Sequence, residues 1–154
     1  MIVVSDTTAL TTLIKSGLDW ILLRLFGEIF IPVAVADELL SFHSVLPKGC
    51  IVRAAIEGPL LDRLRNALDW GEAEAIALAC ELQASIVLLD DKKGRRQAEG
   101  LGLVCFELPA VLVMAKRKGV IPSVPAAFET IASQGRYRVA DSAASVLLRS
   151  VGEA

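Results

Sequence analysis

Short apolar runs alternate along the chain with longer segments whose apolar residues recur at helical spacing. Each short run is almost wholly apolar, which is typical of a strand buried on both faces of a parallel sheet. Such strands are predicted at residues 2–4, 28–31, 85–89 and 103–106, with an edge strand at 51–55. The alternation of strands with helices predicts an α/β fold in which helices cover both faces of a parallel sheet.

Helix start signals precede several of the longer segments. Pro32 stands at a helix start, where its missing N–H does no harm. Asp69 and Glu72 have the spacing of an acidic capping box, and the segment beyond them is apolar nearly all round, which predicts a buried helix. Helices are predicted at about residues 10–18, 20–26, 32–39, 60–68, 73–83, 95–101, 108–118, 123–134 and 142–151.

Composition narrows the class of protein. The chain has 154 residues, of which 54% are hydrophobic and 22% charged, which is enough for one domain with a substantial core and too apolar for a disordered chain. Its longest uncharged apolar stretches are shorter than the roughly 18–20 residues that cross a bilayer. Sixteen basic and eighteen acidic side chains give a net charge of −2. This balance excludes a polycationic nucleic-acid coat but not a local basic rim.

Cysteine, histidine and the first residues bear on metal chemistry and compartment. The three cysteines have no C-x-x-C spacing and lie in apolar stretches, where cysteine behaves as a small hydrophobe. The single histidine, His43, excludes every metal site built on several histidines. No basic segment precedes the first apolar run, as a cleavable signal would require. We therefore expect a reduced, cytoplasmic protein.

Acidic side chains stand where a parallel sheet would place a ligand. Asp6 stands at the end of the first predicted strand, and Asp90 and Asp91 stand at the end of the strand predicted at 85–89. Ligands of open parallel sheets bind beyond the carboxyl ends of the strands. If these two strands are neighbours, Glu38 and Glu74 on adjoining helices can join the same crevice. Carboxylates this close together repel one another, so some of them must be protonated or a cation must neutralise them. Because all of these ligands are oxygens, the favoured cations are Mg²⁺ and Mn²⁺.

The predicted buried helix carries two acids, of which only one can face this crevice. Glu72 and Glu74 are two positions apart, about 200° around a helix. The capping box accounts for Glu72, whereas a carboxylate on an otherwise apolar helix should not be buried without a partner. Glu74 is therefore the expected ligand.

Each acid also has a purely structural interpretation. Asp6 would serve as the N-cap of the first helix. Asp90 and Asp91 would form a solvated turn, and Glu38 would lie beside Asp37 on a helix surface. The constellation favours a site more strongly than any single acid does.

A run of basic residues follows the acidic doublet directly. These side chains would hold a phosphate backbone beside a metal site, or would form a solvated helix face. They are Lys92, Lys93, Arg95 and Arg96. Weaker candidates for the same rim are Lys116, Arg117, Lys118, Arg136 and Arg138.

At these acids the chain resembles the PIN-domain family, and within it the prokaryotic VapC-like ribonuclease toxins. The motifs that carry the resemblance are VVSDTTAL at 3–10, IPVAVADEL at 31–39, GEAEAIA at 71–77 and IVLLDD at 86–91. It extends through residues 92–96 and 116–122 and so covers most of the chain.

The resemblance implies a fold, an activity and partners. The fold is a three-layer α/β/α arrangement with parallel sheet order 3-2-1-4-5, which places Asp6 beside Asp90. One PIN-like domain would span residues 1–154, with a C-terminal helical extension at about 120–154. The implied activity is Mg²⁺- or Mn²⁺-dependent cleavage of RNA by the toxin of a type II toxin–antitoxin module. The implied partners are a second copy of the chain and a small protein antitoxin.

The resemblance also implies roles for individual residues. The matching catalytic acids are Asp6, Glu38, Glu74 and Asp90. The implied metal ligands are Asp6, Asp90, Glu74 and Asp91, with Glu72 as a further accessory. RNA would contact the basic residues of 92–96. The apolar helices within 10–26 are the expected dimer or antitoxin surface, or else ordinary core.

Two features differ from the family pattern and keep alternatives open. Glu74 stands where many relatives have Asp, and Phe106-Glu107-Leu108-Pro109 replaces a small Gly/Thr-type turn, where Glu107 would join the site. These differences motivate the alternative of a catalytically silent PIN-like module that binds protein or RNA. A phosphoaspartate receiver or phosphatase is a third interpretation, weakened because Asp6-Thr7-Thr8 has no second Asp two residues on.

Overall fold

The computed structural model describes residues 1–154 and is organised around a five-stranded sheet. The strands are β1 (Val3–Ser5), β2 (Ile29–Ile31), β3 (Cys50–Val52), β4 (Ile86–Leu88) and β5 (Cys105–Phe106). All neighbours pair in parallel in the order β3-β2-β1-β4-β5. The predicted order 3-2-1-4-5 is therefore confirmed. In the register of β1 against β4, Ser5 lies opposite Leu88, so these two strands end side by side.

Nine helices surround the sheet. They are α1 (Thr7–Lys15), α2 (Trp20–Phe26), α3 (Val33–Phe42), α4 (Pro59–Ala67), α5 (Trp70–Leu82), α6 (Lys92–Gly100), α7 (Leu108–Arg117), α8 (Val124–Ser133) and α9 (Asp141–Ser150). Helix α6 begins earlier than predicted because Asp91 caps it, its Oδ2 accepting a hydrogen bond from the Gly94 N–H at 3.1 Å. None of the nine helices has both the length and the apolar character that a membrane crossing needs.

The two faces of the sheet belong to separate apolar clusters. Val3, Ile86 and Leu88 face a cluster that contains residues of α1, α2, α3, α7 and α8. Val4 and Val87 face the other cluster, formed with α4, α5 and α6. The strands are apolar at consecutive positions because both faces are covered, and the three layers of the predicted fold are confirmed.

The C-terminal helices return the chain to the carboxyl end of the sheet. A Cβ at Gly135, just after α8, would lie 2.6 Å from the Ser16 hydroxyl and 2.7 Å from Thr12 Cγ2. Glycine therefore allows the chain to pass closely over α1. Arg136 then adopts a left-handed conformation with φ of 54°. This turn directs Tyr137 towards the end of β4, where its hydroxyl contacts Asp90.

Candidate functional site

The pairing of β1 with β4 brings Asp6 and Asp90 to the same edge of the sheet. The Asp6 N–H donates a hydrogen bond to the Leu88 carbonyl at 3.0 Å, and Asp90 follows two residues later. The Asp6 side chain does not make the usual capping hydrogen bond at the start of α1. The side chain is only 8% exposed, and it lies among carboxyl groups, including Asp90.

Helix α3 brings a further carboxyl group to Asp6, and the first turn of α5 leaves room for it. Glu38 of α3 lies over the start of α1, where its Oε2 accepts a hydrogen bond from the Thr7 hydroxyl at 3.0 Å. Helix α5 approaches through Gly71, where a Cβ would lie 3.2 Å from Asp6 Oδ1 and 3.6 Å from Glu38 Oε2. The missing side chain at Gly71 therefore leaves room for both carboxylates.

Glu72 lies in the same group of acids, although the sequence predicted Glu74 as the ligand. Its side chain is near the carboxyl groups of Asp6, Asp69 and Asp91. Its Oε2 also contacts α6, because a Cβ at Gly94 would lie 2.5 Å from that oxygen. We refer to the six residues Asp6, Glu38, Asp69, Glu72, Asp90 and Asp91 as the acidic cluster.

The structure corrects the expected roles of Glu72 and Glu74. Half of the predicted capping box forms, since Asp69 Oδ1 accepts a hydrogen bond from the Glu72 N–H at 2.9 Å. The reciprocal bond is missing, and the Glu72 side chain points into the acidic cluster instead. The two glutamates do face different ways, as their spacing predicts, but Glu72 is the one that faces Asp6.

Glu74 has other partners on the opposite side of α5. Its Oε1 accepts a hydrogen bond from the Ala34 N–H at 3.1 Å. This N–H lies in the first turn of α3, where the N-cap residue Pro32 has no side-chain acceptor of its own. Its Oε2 pairs with Arg65 at 3.0 Å. The guanidinium of Arg65 also pairs with Glu57 at 2.7 Å and lies over the Trp70 ring. Glu74 was expected to be a metal ligand, whereas its buried carboxylate has Arg65 as its partner.

Burial and mutual repulsion raise the pKa values of three acids in the cluster. Burial is the largest cause at Asp6, where it raises the pKa to about 7 against the opposing effect of the Thr7 N–H, and Asp69, Glu38 and Asp90 add repulsion. Burial likewise raises the pKa of Glu72 to about 9, with Asp69 as the main neighbouring acid. Burial also raises the pKa of Asp90, although hydrogen bonds lower it in part.

Asp90 is held by Tyr137 and Leu108, which the sequence did not connect with it. The Tyr137 hydroxyl donates a hydrogen bond to Asp90 Oδ2, and the Leu108 N–H lies 3.5 Å from the same oxygen. Glu107 lies nearby and pairs with Arg95 at 3.0 Å. Tyr137 was missed because it follows α8, far along the chain, in a segment without a motif.

The donor set of the acidic cluster fits a hard divalent cation. Glu72 Oε2 and Asp90 Oδ1 are buried and have no hydrogen-bond partner. None of the six carboxyl groups pairs with a lysine or arginine. As the side chains stand, no three acidic, cysteine or histidine groups are near enough to one another to share a metal ion. The oxygens therefore suit Mg²⁺ or Mn²⁺ in kind, and side-chain rotation is needed to gather them.

The predicted basic residues lie beside the acidic cluster, three of them exposed and one paired with an acid. Lys92, Lys93 and Arg96 are exposed on α6, next to the Asp91 cap. Arg95 is half-buried against Glu107. Of the weaker candidates, Lys116 donates a hydrogen bond to the Pro122 carbonyl at 2.7 Å.

A family model described as a PIN domain, DUF3368, matches residues 2–153. The chain belongs to the PIN-domain family. This PIN domain is similar to a solved PilT N-terminus domain protein from the hyperthermophilic archaeon Sulfolobus solfataricus P2, with 26% identity and a TM-score of 0.60. That match covers 75% of this chain and 93% of the archaeal one. No curated protein matches the chain. PIN domains are generally nucleases that use divalent metals, so the fold is of a nuclease type.

Without divalent ions, the stability of this PIN domain should fall as the pH rises. The folded-state pKa values of Asp6 and Glu72 lie above their ordinary values of 3.8 and 4.5. Between the ordinary and the raised values the folded protein binds more protons than the unfolded chain, so a higher pH favours unfolding. We expect the melting temperature in EDTA to decrease between about pH 5 and about pH 8.

Asp6→Asn removes one of these buried acids and should flatten that decrease. The variant should melt above the wild type at the upper end of the range, where burial of the Asp6 charge is most costly. Asp62→Asn, at an exposed position on α4, serves as the control. A melting temperature that rises with pH over this range in EDTA would contradict the raised pKa values.

Proposed function

We propose that this protein is a divalent-metal-dependent ribonuclease that hydrolyses RNA phosphodiester bonds. The observation that carries the proposal is the acidic cluster, in which six carboxyl groups converge and none has a basic partner. Membership of the PIN-domain family supports a nuclease. The all-oxygen donor set supports Mg²⁺ or Mn²⁺ as the cofactor.

Within this proposal the acids divide into ligands and supports. Asp6 and Asp90 would hold the principal ion, and Glu72 and Glu38 would complete its surroundings. Asp91 stays close to them as the cap of α6. Glu74 has a structural role, because one of its oxygens accepts a hydrogen bond from Arg65 and the other from the start of α3. The bound cation would lower the pKa of a water molecule and stabilise charge on the phosphate.

The chain's own hydrogen bonds prepare these carboxylates. Thr7 fixes one oxygen of Glu38, and Tyr137 fixes one oxygen of Asp90. Because both donors are neutral, the negative charge is left available to a cation. Lys92, Lys93 and Arg96 would guide the RNA backbone towards the same edge, since exposed cations attract phosphates over a Debye length.

One observation favours the alternative of a catalytically silent module. No three acidic groups now stand near enough to one another to share an ion. A silent module would keep them so, whereas a nuclease must draw them together when the cation binds. Measurement of cation binding therefore separates the two functions.

A toxin role and its partners form the finer part of the proposal. The VapC-like resemblance supports the toxin of a type II toxin–antitoxin module, a homodimer and a small protein antitoxin. Most of α1 is core, with Leu10 and Leu13 fully buried. In α2, however, Trp20 is 42% and Leu23 is 39% exposed. These two side chains are the part of 10–26 that is free to contact a second copy or an antitoxin.

Asp6→Asn should remove the nuclease activity. The purified protein should cleave a single-stranded RNA in Mn²⁺ and stop when EDTA is added. The cleavage rate of the variant should fall by about 100-fold or more, because the variant lacks a charged ligand of the ion. Gel analysis of end-labelled RNA measures the rate, and Asp62→Asn is the matched control. Undiminished cleavage by Asp6→Asn would place the activity elsewhere.

Glu72→Gln and Glu74→Gln should have different effects. Glu72→Gln should weaken Mn²⁺ binding about tenfold or more, because it removes a charged oxygen from the cluster. Glu74→Gln should leave Mn²⁺ affinity nearly unchanged but lower the midpoint of urea unfolding, because Arg65 loses its buried partner. Calorimetric titration with Mn²⁺ measures the affinity.

The reverse pattern in these two variants would restore Glu74 as the ligand. No Mn²⁺ binding by the wild-type protein would favour the silent module.

Expression of the wild-type chain in a bacterial host should arrest growth, because uncontrolled RNA cleavage stops protein synthesis. Expression of Asp6→Asn at the same level should permit growth. Optical density after induction, with immunoblots to match expression, is the measurement. Equal growth in both cultures, or equal arrest, would exclude a toxin that acts through the acidic cluster.

A further inference from the structure

A cavity of about 680 Å³ lies next to the acidic cluster and has no part in the function proposed above. It lies between the end of β5, the first turn of α7 and the C-terminal segment that includes α9. Most of its lining is apolar, and its walls include Phe106, Ala110, Ala143 and Leu147. Its volume is in the range of small-molecule sites, which run from about 300 to about 1,000 Å³.

Charged groups stand within this apolar lining. Glu107 and Arg95 both line the cavity and pair with each other at 3.0 Å. The side chain of Glu107 is still 41% exposed, so its carboxylate can accept further hydrogen bonds. The Arg95 side chain is 27% exposed, so its guanidinium, which has more N–H donors than the pair with Glu107 uses, can be reached from the cavity. A ligand in the cavity would therefore meet one acceptor group and one donor group beside apolar walls.

Tyr137 joins the cavity to the acidic cluster. Its ring lines the cavity, while its hydroxyl donates a hydrogen bond to Asp90 Oδ2. The cavity therefore begins one side chain away from a carboxylate that we assign to the metal. A nucleotide whose phosphate lies at Asp90 would have its base near this opening.

We propose that the cavity binds a nucleobase of single-stranded RNA next to the phosphate at the acidic cluster. This inference rests on the proposed ribonuclease function and names the part of the substrate that the site recognises. Single-stranded RNA is commonly bound by proteins that receive unstacked bases on aromatic side chains and hydrogen-bond their edges. Phe106 and Tyr137 supply aromatic walls, and the pair Arg95–Glu107 supplies a donor and an acceptor.

The shape and charge of the cavity favour a base over a peptide of a protein partner. The cavity is lined by two aromatic residues, Phe106 and Tyr137, together with residues of α7 and α9. Arg138 also lines the cavity; it is largely exposed and pairs with the equally exposed Asp141 at 3.8 Å, so its guanidinium can still contact a phosphate. A peptide is the other occupant to consider, and the experiment below separates the two.

The test is a titration of the full chain with the four ribonucleosides in EDTA, followed by amide chemical shifts. The wild-type protein should show saturable shifts at Phe106, Ala110 and Tyr137. Ala143→Trp should weaken binding about tenfold or more, because an indole on α9 fills part of the cavity. Ser145→Trp places the same side chain on an exposed position of α9 outside the cavity and should bind as the wild type does.

Both variants change exposed positions, so their amide spectra should otherwise match that of the wild type. Absence of shifts at millimolar nucleoside, or equal binding by Ala143→Trp and the wild type, would overturn the proposal and leave the cavity to a protein partner. Because the titration contains no divalent ion, its outcome is separate from that of the cleavage assay. Cleavage without base binding rejects the cavity alone, whereas base binding without cleavage rejects the ribonuclease.

Discussion

Buried carboxyl groups that lie close together must share protons or a cation, and this constraint acts on Asp6 and Glu72 at the carboxyl edge of the sheet. The backbone fixes the positions of these two acids. Asp6 is fixed by the hydrogen bond from its own N–H to Leu88, and Glu72 is fixed on a helix that is buried along most of its length. The raised pKa values of these acids are the consequence of that confinement.

The parts of the fold that could be predicted from the sequence are those set by local pattern. Consecutive apolar residues such as Val3 and Val4 indicate a strand covered on both faces, and an acid at its end marks the ligand edge. Strand order itself is not local, and it came from the resemblance to the PIN-domain family. Together these two sources placed Asp6 beside Asp90.

The site could be predicted only in part, because two of its contacts depend on distant residues. The angle between Glu72 and Glu74 follows from helix geometry, but which of them faces the acids depends on where α4 presents Arg65. Tyr137 lies 47 residues from Asp90 and reaches it only because the chain passes closely over α1 at Gly135. Neither packing relation has a signature in the residues nearby.

The acids at this edge of the sheet differ in whether their hydrogen-bond donor is a cation or a neutral hydroxyl group. Glu74 is paired with the guanidinium of Arg65, so its charge is already compensated. Glu38 and Asp90 instead receive hydrogen bonds from the neutral hydroxyls of Thr7 and Tyr137, which orient a carboxylate without cancelling its charge. A fold that needed these acids for stability alone would gain more from basic partners. Orientation by neutral donors leaves a net negative charge, which is the requirement of a site that binds a cation from solution.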